Sequence, residues 1–299
     1  MVSLFCRHNR LTANCPICSR ELEAELKAKA PPRPPSVRKA PASRARRSGA
    51  SARSGGVVTR RLARAEDDGY RNQLVPGLRA TADAERLAAA LLAAEARLYP
   101  PGPYEAIATE PDKEDATWLA FLLTLVGPPL RDAVGAAAPR WDDGVPEDLP
   151  AAQRATAEAY RQWAERAGSQ VAAFTGESDW SPGRRFARVL ERLALPGFTR
   201  AQRFDLLAVL GAAGLYELVP EALALGADGD AATQGAKRAL LSGDRMLLER
   251  RSRDLARAVE VPLVALDHGF AWWDDPATEL EPPEEWPAAM RSALALPDE

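Results

Sequence analysis

The chain has 299 residues, of which 46% are hydrophobic and 27% charged, enough apolar material for one sizeable core or two small ones. Alanine, leucine, arginine and glutamate dominate while β-branched residues are scarce, so the composition predicts an all-α protein. Met1–Arg10 lacks the apolar run of a signal peptide, and the longest apolar run, Trp118–Gly127, is too short to span a membrane. We therefore expect a cytoplasmic protein with no membrane partner.

Charge is divided sharply along the chain. Residues 1–64 contain 15 lysines and arginines against 3 acidic residues, a net charge of +12. Residues 65–299 contain the other 24 basic residues and 39 acidic residues, a net charge of −15. A basic arm on an acidic body is typical of a protein that binds a polyanion through the arm. It is equally compatible with an arm that folds back on the body.

The N-terminus contains a pattern of metal ligands. Cys6, His8, Cys15 and Cys18 read C-x-H-x6-C-x2-C, which includes every cysteine and one of the two histidines. Three thiolates and one imidazole make a closed tetrahedral set, so we predict a structural zinc ion in a knuckle over residues 1–20. The alternatives are a disulfide, idle thiols, or an iron–sulfur cluster, which usually takes four cysteines.

Residues 21–65 separate the knuckle from the body; residues 21–29 could continue as a short helix, and residues 31–64 are rich in proline, alanine, serine and arginine with almost no apolar side chains. Such a segment cannot bury enough surface to fold, so we predict a disordered linker. It would contact phosphates in a salt-dependent way, or serve only as a tether.

Residues 66–299 are predicted to form one helical domain. The first predicted helices cover residues 83–99, 114–126 and 150–167, and the second is apolar nearly all round, which predicts a central buried helix. Turn-forming residues predict a loop over Phe174–Gly183. Its Trp180 is a candidate for stacking on a base, or an aromatic plug over the core.

A first helix hairpin is predicted around Gly197. Helices over residues 184–193 and 200–210 flank the turn Leu195-Pro196-Gly197-Phe198, and Thr199 with Gln202 forms a capping box for the second helix. A glycine beside a helix N-terminus leaves backbone N–H groups free for a phosphate oxygen, although an ordinary helix connection is the alternative.

A second hairpin is predicted around Gly243. Helices are predicted over residues 215–225 and 231–241, and another, Arg245–Ala258, follows the Ser242-Gly243 turn. On this last helix Arg250, Arg253 and Arg257 recur on one side, where they could contact phosphates. Arg250 is also spaced for an ion pair with Asp254.

One acid, Asp267, lies in the apolar stretch VPLVALDHGFAWW at residues 261–273. A carboxylate in that setting is paired, caps a helix or has a function. It could be the N-cap of a short helix over residues 268–273. Alternatively it faces a cleft, with Trp272 or Trp180 as the aromatic side chain at its border. A last short helix is predicted over residues 286–294.

The order helix, glycine turn, helix, loop, aspartate resembles the catalytic half of the helix-hairpin-helix DNA glycosylase superfamily. The segments CRHNRLTANCPICSREL, LVPGLRATADAERLA and LPGFTRAQRFDLLAVLGAAGLYEL, together with the Asp267 segment, resemble one branch, the alpha-glutamyl/putrescinyl thymine pyrophosphorylases of clade 3. The likeness covers most of the chain outside residues 21–65. The spacing to Asp267, 24 positions, favours Gly243 as the turn of the functional hairpin, whereas the amino-acid sequence of the turn favours Gly197.

The resemblance implies a DNA base hypermodification enzyme. Its substrate would be a modified thymine with a diphosphate on the 5-methylene carbon, which a small amine or amino acid displaces. Asp267 would be the general base, or would stabilise positive charge at the methylene, with Arg245 and Arg250 on the leaving diphosphate. The alternatives are a DNA glycosylase acting on a modified base and a non-catalytic zinc-knuckle DNA-binding protein. A lysine-dependent lyase is disfavoured because no lysine follows Lys237.

Overall fold

The computed structural model describes residues 65–99, 104–127, 139–226 and 229–297, all within one unit, Thr59–Glu299. These residues form eleven helices and no strand, which confirms the all-α prediction for the described part of the chain. No helix among them is both long and apolar enough to cross a membrane. The helices are α1 (Thr81–Ala96), α2 (Glu105–Thr109), α3 (Lys113–Val126), α4 (Ala151–Arg166), α5 (Gln170–Thr175), α6 (Pro182–Arg192), α7 (Arg200–Ala212), α8 (Ala231–Ala239), α9 (Arg245–Ala258), α10 (Ala265–Asp274) and α11 (Ala288–Leu294).

Helix α3 runs through the hydrophobic core, as its apolar sequence predicted. Every residue from Ala116 to Leu125 is buried. Asp112 caps the helix by accepting two backbone N–H bonds from its first turn, at 2.9 and 3.0 Å. Phe121 stacks on Tyr160 of α4 with ring centroids 3.8 Å apart, and α3 also packs against α7. A helix buried on all sides therefore holds the surrounding helices in place.

Helix α10, which carries Asp267, packs against α1 and α8. At the α8 contact a Cβ on Gly235 would lie 2.1 Å from the carbonyl oxygen of Phe270, so only glycine permits this approach. Further along, Arg238 of α8 forms an ion pair with Asp274 of α10. Because both contacts advance together along the two helices, α8 and α10 lie side by side and run in the same direction.

The predicted helix over residues 215–225 is wrong. The chain there has turns and irregular structure, held by polar contacts from other elements. Leu223 and Leu225 donate their backbone N–H groups to the Glu249 carboxylate, both at 2.7 Å, and the Leu223 carbonyl accepts from Arg200 at 2.9 Å. Backbone groups bound in this way are not available for a helical ladder.

Helix α10 begins two residues before Asp267, because Pro262 starts a turn that leads into it. The N–H of Ala265 bonds to the Pro262 carbonyl at 2.9 Å, and that of Asp267 to the Val264 carbonyl at 3.3 Å. Asp267 therefore lies in the first helical turn, and the N-cap alternative is wrong. The predicted zinc knuckle over residues 1–20 and all but the last residue of the predicted linker over residues 21–65 lie outside the described residues.

Candidate functional site

The carboxylate of Asp267 is buried, with only 2% of the residue exposed, and it is paired with Arg200. Its Oδ1 accepts a hydrogen bond from Arg200 Nη2 at 2.6 Å. The same guanidinium donates from Nε to Asp230 Oδ1 at 3.0 Å and from Nη1 to the carbonyl of Leu223 at 2.9 Å. One buried cation thus joins two carboxylates and ties the starts of α7, α8 and α10 together.

Burial and ion pairing act in opposite directions in this triad. Burial raises the pKa of Asp267, although Arg200 and His268 oppose the shift. Burial by itself would lower the pKa of Arg200, but the charges of Asp267 and Asp230 outweigh it and raise that pKa, so the guanidinium stays charged. The expected open cleft at Asp267 is therefore not what the structure shows. Its carboxylate faces a guanidinium in the interior, beyond the reach of an extruded base.

The two glycine turns differ in their position relative to Asp267. The turn that contains Gly197 lies just before Arg200, the residue that binds Asp267. The turn that contains Gly243 follows α8, beyond the end at which Arg238 contacts Asp274. Since α8 and α10 run in the same direction, the Gly243 turn lies at the opposite end of α10 from Asp267.

The Gly197 turn is a fixed part of the α6–α7 hairpin. Gly197 is exposed at φ +76, and a Cβ there would lie 2.4 Å from Thr156 Oγ1, so glycine is required on both counts. Next to it Phe198 is buried, with its ring centroid 5.2 Å from that of Phe121. The sequence pattern that singled out this hairpin therefore marks an ordered turn next to the Arg200–Asp267 pair.

A second polar cluster connects the same two helices, α7 and α10. Asp205 of α7 accepts hydrogen bonds from Arg97 Nη1 at 2.5 Å and Nη2 at 3.2 Å, and from the Tyr104 hydroxyl at 3.1 Å. Nε2 of His268, the neighbour of Asp267, lies 2.9 Å from Asp205 Oδ1. Three polar side chains, from the end of α1, the start of α2 and α10, thus converge on one carboxylate of α7.

The carboxylate of Asp205 determines which ring nitrogen of His268 must carry a proton. Burial opposes ionisation of Asp205, but His268 and Arg97 outweigh it and hold the pKa of Asp205 well below its ordinary value. Burial, and then the Asp205 charge, raise the pKa of Tyr104, so its phenol stays protonated and donates. An ionised acceptor at Nε2 requires a proton on that nitrogen, so the neutral tautomer that fits this contact has its lone pair on Nδ1. The His268 side chain is 23% exposed.

The two tryptophans proposed for base stacking have different environments. Trp272 is partly exposed, and its ring centroid lies 5.1 Å from that of His268 and 5.9 Å from the Arg97 guanidinium. Trp180 is buried, with the Arg192 guanidinium 5.0 Å from its ring. Trp272 therefore keeps part of its side chain exposed to solvent, whereas Trp180 is not available to stack on a base.

A cavity of about 220 Å³ adjoins this cluster. Arg97, Tyr104 and Glu105 supply its polar groups, and apolar side chains that include Leu98 and Val209 line the rest. A partly exposed histidine oriented by a carboxylate, a partly exposed aromatic ring and a nearby cavity are features of binding or catalytic sites. Arg97, Tyr104 and Asp205 were not among the predicted site residues.

The α8–α9 hairpin presents the other predicted phosphate ligands. Gly243, Arg245, Arg250 and Arg253 are all exposed, and a Cβ on Gly243 would meet no atom within 4 Å. Arg250 does form the predicted pair with Asp254, but the two groups are exposed and 3.9 Å apart. Pairs of that kind contribute about 0–1 kcal/mol to stability, so Arg250 can release Asp254 and bind another anion.

The predicted zinc ligands Cys6, His8, Cys15 and Cys18 lie outside the described residues. Within the described ranges, no group of three or more histidine, cysteine, aspartate or glutamate side chains is placed to hold a metal ion. Comparisons of this chain with protein-family models, with curated proteins and with solved structures found no match.

Proposed function

We propose that this chain binds DNA through the α8–α9 hairpin. The observation that supports this proposal most directly is that the net charge of this segment is opposite in sign to that of the body. Residues 237–257 contain seven lysines and arginines against three acidic residues, a net charge of +4, in a body of residues 65–299 whose net charge is −15. A compact basic surface on an otherwise acidic protein is the electrostatic pattern expected for contact with a phosphate backbone.

Helical geometry supports the same surface. Met246, Arg250, Arg253 and Arg257 recur at spacings of three and four, so they share one side of α9. Each of these residues is exposed, while the opposite side of the helix is buried in the core through residues such as Leu255. The arginines therefore project from a helix that is fixed to the core. Because they are exposed, binding a ligand would break few of their existing contacts.

The experiment measures the affinity of the full chain for a labelled duplex over a range of salt concentrations. Replacing both Arg250 and Arg253 by serine should weaken binding and reduce the slope of log affinity against log salt by about 0.9 for each phosphate contact removed. Arg166→Ser, which removes an exposed arginine from α4, is the matched control and should leave the slope unchanged. An unchanged slope in the double variant, or an equal loss in the control, contradicts the proposal.

One observation favours a second candidate function, the base modification that the sequence resemblance implies. His268 has an ionised carboxylate at one ring nitrogen and a partly exposed tryptophan beside it, and in the tautomer that donates to this carboxylate the other nitrogen, Nδ1, can accept a proton. We propose that a flipped base stacks on Trp272 and that His268, not the buried Asp267, is the general base. Asp205 is then the positioning residue.

The reaction is a displacement at the 5-methylene carbon of the base. The amine nitrogen bonds to this carbon, the bond from carbon to the diphosphate oxygen breaks, and diphosphate leaves with the electron pair. His268 Nδ1 accepts the proton that the attacking nitrogen loses. Tyr104 and Arg97 fix the orientation of Asp205 and, through it, that of His268.

The test uses DNA that carries diphosphorylated 5-hydroxymethyluracil together with an amine donor, and it measures diphosphate release. His268→Gln keeps a donor for Asp205 but removes the base, and it should abolish turnover while DNA binding persists. Asp267→Asn keeps an acceptor for Arg200 and should remain active. Loss of turnover only in Asp267→Asn would return the catalytic role to Asp267, and release of a free base would identify a glycosylase.

A further inference from the structure

The tip of the α8–α9 hairpin presents an apolar surface to solvent. Leu241 is 62% exposed, Met246 is 82% exposed and Leu247 is 37% exposed. These three belong to the five large hydrophobic residues that are exposed in the described part of the chain. Their concentration between residues 241 and 247 distinguishes the tip from an ordinary surface, on which exposed apolar side chains are scattered singly.

The backbone of this tip is held in an uncommon conformation. Leu241 has φ +49, in the left-handed region that non-glycine residues rarely adopt. The N–H of Ser242 bonds to the carbonyl of Lys237 at 3.3 Å, and Arg251 binds the carbonyl of Leu240. These bonds end α8 in the usual way for a helix that is followed by a left-handed residue, and they fix the position of the Leu241 backbone, from which its side chain projects into solvent.

A ligand of this tip must satisfy both its apolar and its cationic groups. Arg245 lies beside Met246 in the sequence, and the arginine stripe begins one turn further along α9 at Arg250. The stripe reaches Arg257, so it extends about 16 Å from Met246 at 1.5 Å per residue. A linear array of cations behind an apolar point matches one DNA strand, whose phosphates run in a line and whose bases offer apolar faces.

We propose that Leu241 and Met246 form a wedge that enters DNA between neighbouring bases and unstacks them. This inference rests on the proposed binding of DNA by the α8–α9 hairpin and adds the class of target, a duplex with a base step that opens easily. Apolar side chains act in this way in proteins that kink DNA, with flanking cations on the phosphates. An anionic membrane is the other surface that combines negative charge with apolar depth. Residues 237–257 lack the tryptophan and tyrosine that are typical of membrane-interface anchors.

The experiment uses the full chain and a duplex in which one adenine is replaced by 2-aminopurine, whose fluorescence rises when it unstacks. The variant Leu241→Asn with Met246→Gln removes the apolar tip. Asparagine tolerates the left-handed conformation and glutamine is a good helix former, so the hairpin should still fold. Val219→Thr is the matched control, because Val219 is 59% exposed outside the tip.

Wild-type protein and the Val219 variant should raise the fluorescence several-fold at saturation, while the tip variant should bind within about threefold of wild-type affinity without the rise. If wild type binds but causes no rise, or if the tip variant retains it, the wedge is wrong and the proposed function stands. If wild type does not bind the duplex, the proposed function fails and the wedge fails with it.

The last part of the experiment measures binding to vesicles of anionic phospholipid. Suppose that wild type and the Val219 variant bind the vesicles, that the tip variant does not, and that wild type causes no fluorescence rise on DNA. The wedge would then be wrong, and the tip would be a membrane contact.

Discussion

Replacing Arg200 by methionine removes the single cation of the buried triad and retains most of its aliphatic volume. In the native protein the Arg200 guanidinium donates to Asp267 at 2.6 Å, to Asp230 at 3.0 Å and to the Leu223 carbonyl at 2.9 Å. The side chains of all three charged residues are at most 7% exposed. The variant leaves two carboxylates buried close to each other with no counterion, and a carbonyl without its donor.

The expected loss of stability follows from these contacts. Removing one partner of a buried ion pair costs about 3–5 kcal/mol, because the other charge remains desolvated. Since Arg200 serves two carboxylates, we expect a loss near the top of that range, about 5 kcal/mol. Asp267→Asn should cost about 1–3 kcal/mol, because the amide oxygen can still accept from Arg200 and the contact of Arg200 with Asp230 persists.

Urea denaturation followed by circular dichroism measures these differences at neutral pH. The matched control is Arg250→Met, which removes an exposed arginine paired with Asp254 at 3.9 Å and should change stability by less than about 0.5 kcal/mol. If Arg200→Met cost no more than the control, the triad would not be the buried cross-link described here. Asp267 would then not be held in an ion pair by Arg200.

Three further predictions test other parts of the chain. Purified protein should contain one zinc ion, as expected for a closed tetrahedral set, and Cys15→Ser should lose it in metal analysis while the body stays helical; full zinc retention would refute the assignment. Deletion of residues 31–64 should weaken DNA binding and flatten its salt dependence, and an unchanged slope would make that segment only a tether. Gly197→Ala should lower the unfolding free energy by about 1–3 kcal/mol because of its positive φ and the nearby Thr156 hydroxyl, whereas Gly243→Ala, which meets open space, should be nearly neutral.

The sequence was most informative where local rules decide the structure. The predicted range of α9, Arg245–Ala258, is confirmed, because Asp244 caps its start and apolar residues recur at helical spacing along it. The burial of α3 follows equally directly from its continuous apolar sequence. The capping box of Thr199 and Gln202 is also present at the start of α7. Each of these features depends on residues within one or two turns of one another.

The site could not be predicted in the same way, because its contacts join residues far apart in sequence. Asp267 was correctly singled out as a carboxylate that needs a partner, but nothing local identifies Arg200, 67 positions earlier, as that partner. Asp205 gave a similar signal within the apolar run Phe204–Leu210, and its link to Arg97 spans 108 positions. An unexplained acid in an apolar helix thus predicts that a polar network exists, whereas the members of the network depend on the tertiary fold.

The two carboxylates of this site should respond to pH in opposite directions, although both lie between α7 and α10. The pKa of Asp205 is lowered from its ordinary value of 3.8, so its ionised form stabilises the fold above that value and the contribution is lost as the pH falls further. The pKa of Asp267 is raised from 3.8, so its contribution to stability is complete at lower pH and is lost as the pH rises through the folded-state value.

Consequently the stability cost of Asp205→Asn should shrink as the pH falls below 3.8, and that of Asp267→Asn should shrink as the pH rises above 3.8. Urea denaturation of both variants and wild type across this range measures the two slopes. Slopes of the same sign would show that Arg200 and His268 outweigh the burial of Asp267, so that its carboxylate resembles that of Asp205.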